Sequence, residues 1–460
     1  MSTTTHDMNH ALVLGGGMAG LLTARVLADA YDRVTIVDRD DLSTGPQPRR
    51  GTPQARHVHA LLAGGQQAVE DLFPGITDDL RAAGAPVGDV LDDTRLYFSG
   101  HRLRQAPSDL TLIHVSRGLL ESKVRDRVRA RPDVTVLDRC DVVGLAMSLG
   151  VDRIRGARLL RRADDSAEEE LAADLVVDAT GRGSRLGAWL HQLGRTRPAE
   201  ERLPIGVGYA TRRHRLGHEA LDGDLGVLHG LTPQHPRGGA IALVEDGQAV
   251  VTLAGMLGDH PPTDPEGFAA FARSLRFPDI ADAIRDTEPL DDPVAYRFPA
   301  ATRRRYDRLA DMPARVVAVG DSVCSLNPIY GQGMTVAAQQ ALTLQRHLRR
   351  HGRPRHPQLQ RDLVRVTDVA WSMARGADLA FPGVDGARTA GTRILGAYVT
   401  RVHAAAALDA TVGRAFMRVS GMVAPPTALL RPDVVARVLW RGEGSVMTRT
   451  ADDRSRVPAA

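Results

Sequence analysis

Residues 11–20 read ALVLGGGMAG, and this stretch decides how the chain folds. Four apolar residues run into a cluster of glycines, and the residues from Leu21 to Leu27 are again mostly apolar. This pattern predicts a buried strand, a tight turn and a helix. A second apolar run, Val34–Val37, ends at Asp38 and predicts another buried strand. The order strand, turn, helix, strand predicts a compact βαβ unit.

The glycines follow the spacing Gly-x-Gly-x-x-Gly that dinucleotide-binding turns use. The first glycine permits the tight turn, the second lets backbone approach a pyrophosphate, and the third lets the helix pack closely on the strand. The pyrophosphate then lies at the helix N-terminus, where free N–H groups favour an anion. An acidic residue at the end of the second strand is placed to bind ribose hydroxyls. The predicted nucleotide-binding residues are Gly15, Gly17, Met18, Ala19, Gly20, Asp38 and Arg39.

A distant segment, residues 319–334, reads VGDSVCSLNPIYGQGM and favours FAD over NAD. It follows an apolar run, 315–319, so its acidic residue lies at a strand end and can hold a ribityl hydroxyl. The turn that follows can bring backbone close to a flat ring, and the next helix, predicted from about Met334 to Arg350, aims its positive end there. The predicted flavin-binding residues of this segment are Gly320, Asp321, Pro328, Gly331, Gly333 and Met334.

This second segment resembles the second FAD fingerprint of aromatic-hydroxylase-type flavoprotein monooxygenases, single-component enzymes of the group A type. The likeness rests on Gly320-Asp321, on Pro328 and on the run GQGM at 331–334. It implies that Arg117, in the run SRGLL at 116–120, touches the ribityl or phosphate part of FAD. It also implies NADPH or NADH as reductant and O2 as the second substrate.

Two further stretches resemble the bacterial secondary-metabolism branch of these enzymes, which includes polyether epoxidases. They are RGTPQARHVHALL at 50–62 and DATGRGS at 178–184. Gln54 and Arg56 are predicted to lie near the cofactor, the alternative being that they fix an irregular loop. His57 and His59 are predicted to form hydrogen bonds around the flavin rather than to bind a metal, because no third ligand is near.

The chain departs from the hydroxylase pattern at two positions. Thr180 stands where the hydroxylases usually carry an Asp that is linked to flavin and NAD(P)H contacts, which leaves the mode of flavin reduction open. Cys324 replaces a common His and is interpreted as a packing residue rather than a nucleophile.

The predicted fold class is α/β: a Rossmann-like FAD-binding domain with an inserted β-sheet substrate domain and a C-terminal helical region. Strand-like runs joined by turns between residues 200 and 300 predict a largely antiparallel sheet. The predicted boundaries are 1–75, 105–195 and 300–362 for the FAD-binding domain, 76–104 and 196–299 for the sheet domain, and 363–460 for the helical region.

The composition argues against several classes of protein. A net charge of +4 on 460 residues, with scattered arginines, gives no basis for nucleic-acid binding. Cys140 and Cys324 are far apart and lack metal-type spacing, so neither a metal site nor a disulfide is predicted. The first residues lack an apolar signal core, and no run of about 18 apolar residues occurs. A cytoplasmic protein without a membrane span is expected, and the oligomeric state stays open.

The predicted function is a monooxygenase that inserts one oxygen atom, by epoxidation or hydroxylation, into a bulky hydrophobic secondary metabolite such as a polyketide. The oxygen would come from a flavin C4a-hydroperoxide, so an epoxidation needs no protein acid or base, whereas hydroxylation of a phenol would need one. No catalytic residue is assigned. The substrate is expected to be free or bound to a carrier protein. The alternative is a redox-neutral, flavin-dependent cyclase, for example for a [4+2] cycloaddition, in which FAD is structural.

Several aromatic and basic residues admit two interpretations. Tyr209 and Tyr330 are candidates for lining a substrate cavity, the latter because it lies in the flavin turn. The run Arg212–Arg215 is interpreted as a solvated face, with an acidic or carrier-protein partner as the alternative. The core or the cavity can hold the three tryptophans, Trp189, Trp371 and Trp440.

Overall fold

The computed structural model describes residues 9–43, 45–148, 152–163 and 166–440. The strands are β1 (His10–Leu14), β2 (Arg33–Val37), β3 (Val87–Asp89), β4 (Thr94–Phe98), β5 (His101–Arg102), β6 (Thr111–Ile113), β7 (Val134–Leu137), β8 (Cys140–Met147), β9 (Ile154–Arg161), β10 (Glu169–Ala172), β11 (Leu175–Asp178), β12 (Glu200–Arg215), β13 (Gly226–His229), β14 (Arg237–Val244), β15 (Gln248–Gly255), β16 (Val294–Arg304), β17 (Val316–Ala318) and β18 (Cys324–Ser325). The helices are α1 (Met18–Leu27), α2 (Ala63–Leu72), α3 (Ile76–Ala82), α4 (Arg117–Arg129), α5 (Leu186–Gln192), α6 (Pro265–Arg273), α7 (Asp279–Ile284), α8 (Gln332–His351), α9 (Gln358–Asp378), α10 (Ala390–Ala406) and α11 (Ala410–Ser420). Two predictions concern residues outside the described ranges. They are the absence of a signal core at the start of the chain and the outer ends of the predicted domains.

A five-stranded parallel sheet in the order β17-β11-β1-β2-β7 carries the N-terminal βαβ unit. Leu12 pairs with Thr35 on one side and with Val176 on the other. Strands β1 and β11 are buried along their whole length, because α1, α2, α4 and α8 pack on one face and the sheet β10-β9-β8 packs on the other. Since parallel strands end at one edge, the loops after β1, β11 and β17 meet there.

An eight-stranded sheet in the order β18-β16-β12-β15-β14-β13-β4-β5 forms the second layer, and its pairings are antiparallel except that of β13 with β4. Helices α6 and α7 cover one face, where Ile241 and Val251 pack on Phe268 and Ile280. The opposite face is turned toward the C-terminal helices. A two-stranded pair, β3 with β6, lies apart from this sheet.

The C-terminal region is helical, and the α/β fold class predicted from the sequence is confirmed. Helix α9 ends before the predicted break at Phe381–Gly383, and α11 ends before the prolines at 425 and 426. Helices α10 and α11 pack on the β4–β5 end of the large sheet, where Leu96 contacts the cluster of Val402 and Phe416. No helix within the described ranges is long and apolar enough to cross a membrane. The domain boundaries stay a prediction.

Candidate functional site

The three glycines of the first turn have three different surroundings. Gly15 has a φ of +106°, and a Cβ there would lie 2.5 Å from the carbonyl oxygen of Ala179. A Cβ on Gly20 would collide with the carbonyl oxygen of Gly15, so the third glycine serves close packing. A Cβ on Gly17 would meet nothing within 4 Å. The turn therefore leaves open space at the second glycine, where a pyrophosphate would approach.

Asp38 lies at the end of β2 and braces this turn. Its Oδ2 accepts a hydrogen bond from the backbone N–H of Gly16 (2.6 Å), and its Oδ1 accepts one from that of Asp40 (2.8 Å). Burial raises the pKa of Asp38, although the Arg49 guanidinium 3.6 Å away opposes that shift. Asp38 and Arg39 both line the cavity described below, as the ribose-binding prediction requires.

A buried ion cluster lies beside the turn, and sequence reasoning identified only one member, Arg117. Glu121, one helical turn further along α4, accepts hydrogen bonds from Arg117 (2.9 Å) and from Arg49. Burial alone would raise the pKa of Glu121, but these two guanidinium groups outweigh it and hold the pKa below its usual value. The i,i+4 spacing of Arg117 and Glu121 was a usable signal, whereas nothing local marks Arg49.

The second segment meets the first at Gly320. Its φ is +60°, and a Cβ there would lie 2.7 Å from Cβ of Ala19, so the two predicted fingerprints touch. The N–H of Gly320 donates to Oε1 of Gln340 (2.7 Å). Asp321 follows in a short 3₁₀ turn, and burial raises its pKa while Arg117 opposes that shift. Ala19 and Gly320 thus lie side by side although they are far apart in the sequence.

The turn that opens α8 ends in Gly331, whose φ of +66° only glycine adopts readily. Helix α8 starts at Gln332, two residues before the predicted start, and ends at His351 with Gly352 as its left-handed cap. Oε1 of Gln332 is buried and has no partner among the described residues, so it offers an acceptor to a bound polar ligand. The free N–H groups at the N-terminus of α8 would stabilise negative charge on the edge of a ring bound there.

One cavity of about 2020 Å³ joins these features. Of the predicted cofactor-binding residues, Gly20 and Arg56 do not line it. Gly20 packs beneath the turn, and Arg56 is exposed at the end of the 3₁₀ turn Pro53–Arg56. The cavity is lined by Gly15, Gly17, Met18, Ala19, Asp38, Arg39, Gln54, Arg117, Gly320, Asp321, Pro328, Gly331, Gly333 and Met334.

The predicted histidines lie in a loop that is fastened to the large sheet. The N–H of Val58 donates to Oγ1 of Thr252 (2.9 Å), which lies 2.6 Å from Oγ1 of Thr211. That hydroxyl lies 2.7 Å from Nδ1 of His57. Burial lowers the pKa of His57 to about 4 and that of His59 to about 3, so both rings are neutral near pH 7. Both line the cavity.

Aromatic side chains form the cavity wall beyond these histidines. The ring of His57 lies 5.7 Å from that of Tyr209 and 5.3 Å from that of Tyr296, centroid to centroid. Tyr209 and Tyr330 line the cavity as expected, whereas Tyr296 was not identified from the sequence. Two tryptophans, Trp189 and Trp371, are buried and also line the cavity, whereas Trp440 is 84% exposed and does not.

The basic run Arg212–Arg215 is a strand rather than a uniformly solvated face, which corrects the interpretation from the sequence. Its residues alternate along β12, so His214 is buried and its Nδ1 lies 2.9 Å from Oγ1 of Thr287. The exposed Arg213 pairs with Asp291 at 2.8 Å. The strand period of two explains why one residue of the run points inward.

The two departures from the hydroxylase pattern are both accommodated structurally. The hydroxyl of Thr180 donates to Oδ1 of the buried Asp178 (2.5 Å), and that of Ser322 donates to the same oxygen (3.3 Å). Asp178 thus joins the end of β11 to Ser322 of the second fingerprint, and Thr180 shares its Oδ1. Cys324 is buried, and burial raises the pKa of its thiol, which fits a packing residue.

Open space at the second glycine, an acidic group at two strand ends and a helix that opens onto the same cavity define a flavin-dinucleotide protein. A family model described as an FAD binding domain matches residues 8–359. The chain therefore belongs to this family, the aromatic-hydroxylase-like flavin monooxygenases.

Individual relatives align with most of the chain. Protein Rv3254 of Mycobacterium tuberculosis is 36% identical over 391 residues, which cover 81% of each chain. Kynurenine 3-monooxygenase of Salinispora tropica is 28% identical over 369 residues, which cover 74% of this chain and 72% of that enzyme. A solved flavoprotein/dehydrogenase from Cytophaga hutchinsonii has a TM-score of 0.67 at 16% identity and covers 96% of this chain and 100% of its own, which shows the shared fold.

Proposed function

We propose that this protein is an FAD-dependent monooxygenase that adds one oxygen atom to a bulky, uncharged, hydrophobic molecule. The observation that carries the proposal is a chamber without ionic groups at one end of the cofactor cavity. We call outer chamber the part of the cavity that is lined by β4, β13, β14, α10 and α11. Its apolar wall includes Leu96, Phe98, Leu228, Val399 and Phe416.

The chemistry of the outer chamber favours a neutral substrate. Among the described residues that line it, none is Asp, Glu, Lys or Arg. A charged ligand would lose its hydration there without a partner, at a cost of several kcal/mol. The hydroxyl group of Thr94 and the imidazole of His403 also line it and can orient a few oxygen functions. A polyketide-like or terpenoid-like molecule matches this description, and a free amino acid does not.

The size of the cavity supports the same proposal. Sites for drug-sized ligands measure roughly 300–1,000 Å³. A cavity of about 2020 Å³ has room for a dinucleotide and for a large substrate beside it. If FAD occupies the part lined by the two fingerprints, the outer chamber and the aromatic wall around Tyr209 and Tyr296 remain for the substrate.

When bound, FAD would supply the redox chemistry: NADPH or NADH would reduce it, and it would activate O2, of which one atom enters the substrate and the other leaves as water. The residues of the chain would hold the cofactor through its two fingerprints, orient the substrate and exclude water. We favour epoxidation of an alkene over hydroxylation of a phenol, because the described residues of the outer chamber provide no carboxylate to act as a base. His57 and His59 are uncharged at pH 7, and their low pKa values make them weak bases that would orient the flavin or the substrate through hydrogen bonds.

The test uses the purified protein reconstituted with FAD, in air, with NADPH. NADPH absorbance is followed with neutral polyenes of increasing length and, as the control, with an aromatic amino acid. We expect the longer polyenes to accelerate NADPH oxidation and to yield products heavier by one oxygen atom. Equal turnover of the amino acid would contradict the substrate class. If a polyene is converted with neither NADPH oxidation nor a gain of oxygen, the protein is a cyclase and not a monooxygenase.

A further inference from the structure

A buried carboxylate ties the turn before α8 to helix α9. Asp378 is the last residue of α9 and is fully buried. Its Oδ1 accepts a hydrogen bond from Nδ2 of Asn327 (2.7 Å) and another from the hydroxyl of Tyr330 (2.8 Å). The two donors flank Pro328 and Ile329, so one oxygen atom fixes both ends of the turn that faces the cofactor cavity.

The other carboxylate oxygen of Asp378, Oδ2, has no group in the described part of the chain that offsets the cost of burying its charge. Oδ2 is buried and has no hydrogen-bond partner among the described residues. The titratable groups that face it are Tyr330 and Tyr209 of β12, whose pKa values burial raises well above the usual range, so both are neutral. A carboxylate at the C-terminal, negative end of a helix is further disfavoured.

The cations nearest in the sequence are engaged elsewhere. Arg375, on the same helix, donates to the carbonyl oxygen of Ala387. Arg388 donates to the carbonyl oxygens of Leu379, Phe381 and Val384, in the loop after α9. Burial, opposed only by the two hydrogen bonds, raises the pKa of Asp378 to about 6. The residue therefore titrates within the range in which an enzyme assay is run.

We propose that Asp378 is the positioning residue of the flavin turn, holding it through Asn327 and Tyr330 with a strength that depends on whether the carboxyl group is ionised. The ionised group accepts two charge-assisted hydrogen bonds, which are roughly twice as strong as neutral ones. The protonated group is a weaker acceptor, so the turn is held less firmly. Because the backbone of this turn lies where the flavin ring would bind, protonation of Asp378 changes the surroundings of the flavin.

The experiment follows the visible absorption and circular dichroism of the FAD-loaded protein from pH 5 to pH 8, together with its affinity for FAD. Wild type is expected to show a spectral change with a midpoint near pH 6. Asp378→Asn keeps a carbonyl oxygen as acceptor but cannot ionise, so it should bind FAD within about twofold of wild type and lack the change. Asp378→Leu keeps the branched shape of the side chain but removes the acceptor, and it should bind FAD about tenfold more weakly or worse.

The matched control is Asp385→Asn, which alters an exposed carboxylate in the loop after α9 and should titrate like wild type. Identical titrations of wild type and Asp378→Asn, or wild-type FAD affinity in a folded Asp378→Leu, would overturn the proposal. If the leucine variant does not fold, the asparagine variant alone decides. No substrate is present in this experiment, so its outcome is independent of whether the proposed oxygenation is found.

Discussion

Positions 17 and 20 both require glycine, but for different physical reasons. At Gly20 a methyl group would strike the backbone of the same turn, whereas at Gly17 it would project into open space. We expect Gly17→Ala to leave the thermal midpoint within about 2 °C and to weaken FAD binding about tenfold or more. Gly20→Ala should lower the midpoint by several degrees without FAD, because overpacking costs about 1–3 kcal/mol. Thermal melting and flavin-fluorescence titration measure both, and equal melting of the two variants would contradict this assignment.

Glu121 is a buried carboxylate whose two arginine partners make it a test of stability at the site. Glu121→Gln removes the carboxylate that pairs with the buried Arg117 and leaves Arg49 only its longer contacts with Asp40 (3.3 Å) and Asp38 (3.6 Å), and we expect a loss of about 3 kcal/mol in the free energy of unfolding at pH 7. The pKa of Glu121 is depressed, so its contribution is present above about pH 4.3 and is lost as the pH falls through the lower folded value. Urea denaturation at pH 7 and at acid pH measures this.

The control for Glu121→Gln is Glu169→Gln, which breaks an exposed ion pair with Arg161. Exposed pairs contribute about 0–1 kcal/mol, so the control variant should denature almost as wild type does. A cost below about 0.5 kcal/mol for Glu121→Gln would show that the two arginines find other partners.

Residues could be predicted where their neighbours are near in sequence. The glycines and Asp38 belong to one βαβ unit, and their roles follow from that unit alone. Asp378 and Asn327 are separated by 51 positions, and Arg49 and Glu121 by 72. Such pairs are created by the packing of distant elements, so no local pattern marks them.

The loop that carries His57 is an element held by hydroxyl groups of the large sheet. Thr252→Val keeps the shape but leaves the N–H of Val58 without its acceptor, at a cost of about 1–3 kcal/mol. We expect the thermal midpoint to fall by a few degrees and hydrogen exchange in residues 50–62 to accelerate at least about fivefold. Thr343→Val is the control, since that hydroxyl donates within its own helix. Unchanged exchange in the loop would show that Thr252 does not hold it.

The sequence predicted which segments form helices and strands, but it predicted less well where they start and end and which strands pair. The apolar runs predicted β1, β2 and α8 from their periods, and α8 differs from its prediction by two residues at its start because Gly331 already has the left-handed conformation that caps it. The parallel pairing of β4 with β13 had no signal, since it joins residues near 95 to residues near 227. The basic run Arg212–Arg215 was likewise not predicted to be part of a strand, although His214 of this run is buried.

At the scale of the whole molecule, FAD should act as a folding ligand, because its predicted site is assembled from loops of β1, β2 and β17 and from the start of α8. A ligand at 100 times its dissociation constant adds about 2.7 kcal/mol to the free energy of unfolding. We expect FAD to raise the thermal midpoint by several degrees and FMN, which lacks the adenosine half, to raise it much less. Equal shifts with both would mean that the first glycine turn does not bind the cofactor. Melting curves with each flavin at matched concentration are sufficient.

The walls of the outer chamber carry a consequence for how ligands would compete for it. When a ligand moves from water to an aliphatic and aromatic surface, its affinity follows its oil–water partition coefficient. The positions of its substituents then matter less. Each additional buried methylene should tighten binding by about 0.8 kcal/mol, close to fourfold, until the length of the chamber is exceeded. A homologous series should thus give a steady rise with chain length and then an abrupt plateau, and the chain length at that plateau measures the depth of the chamber.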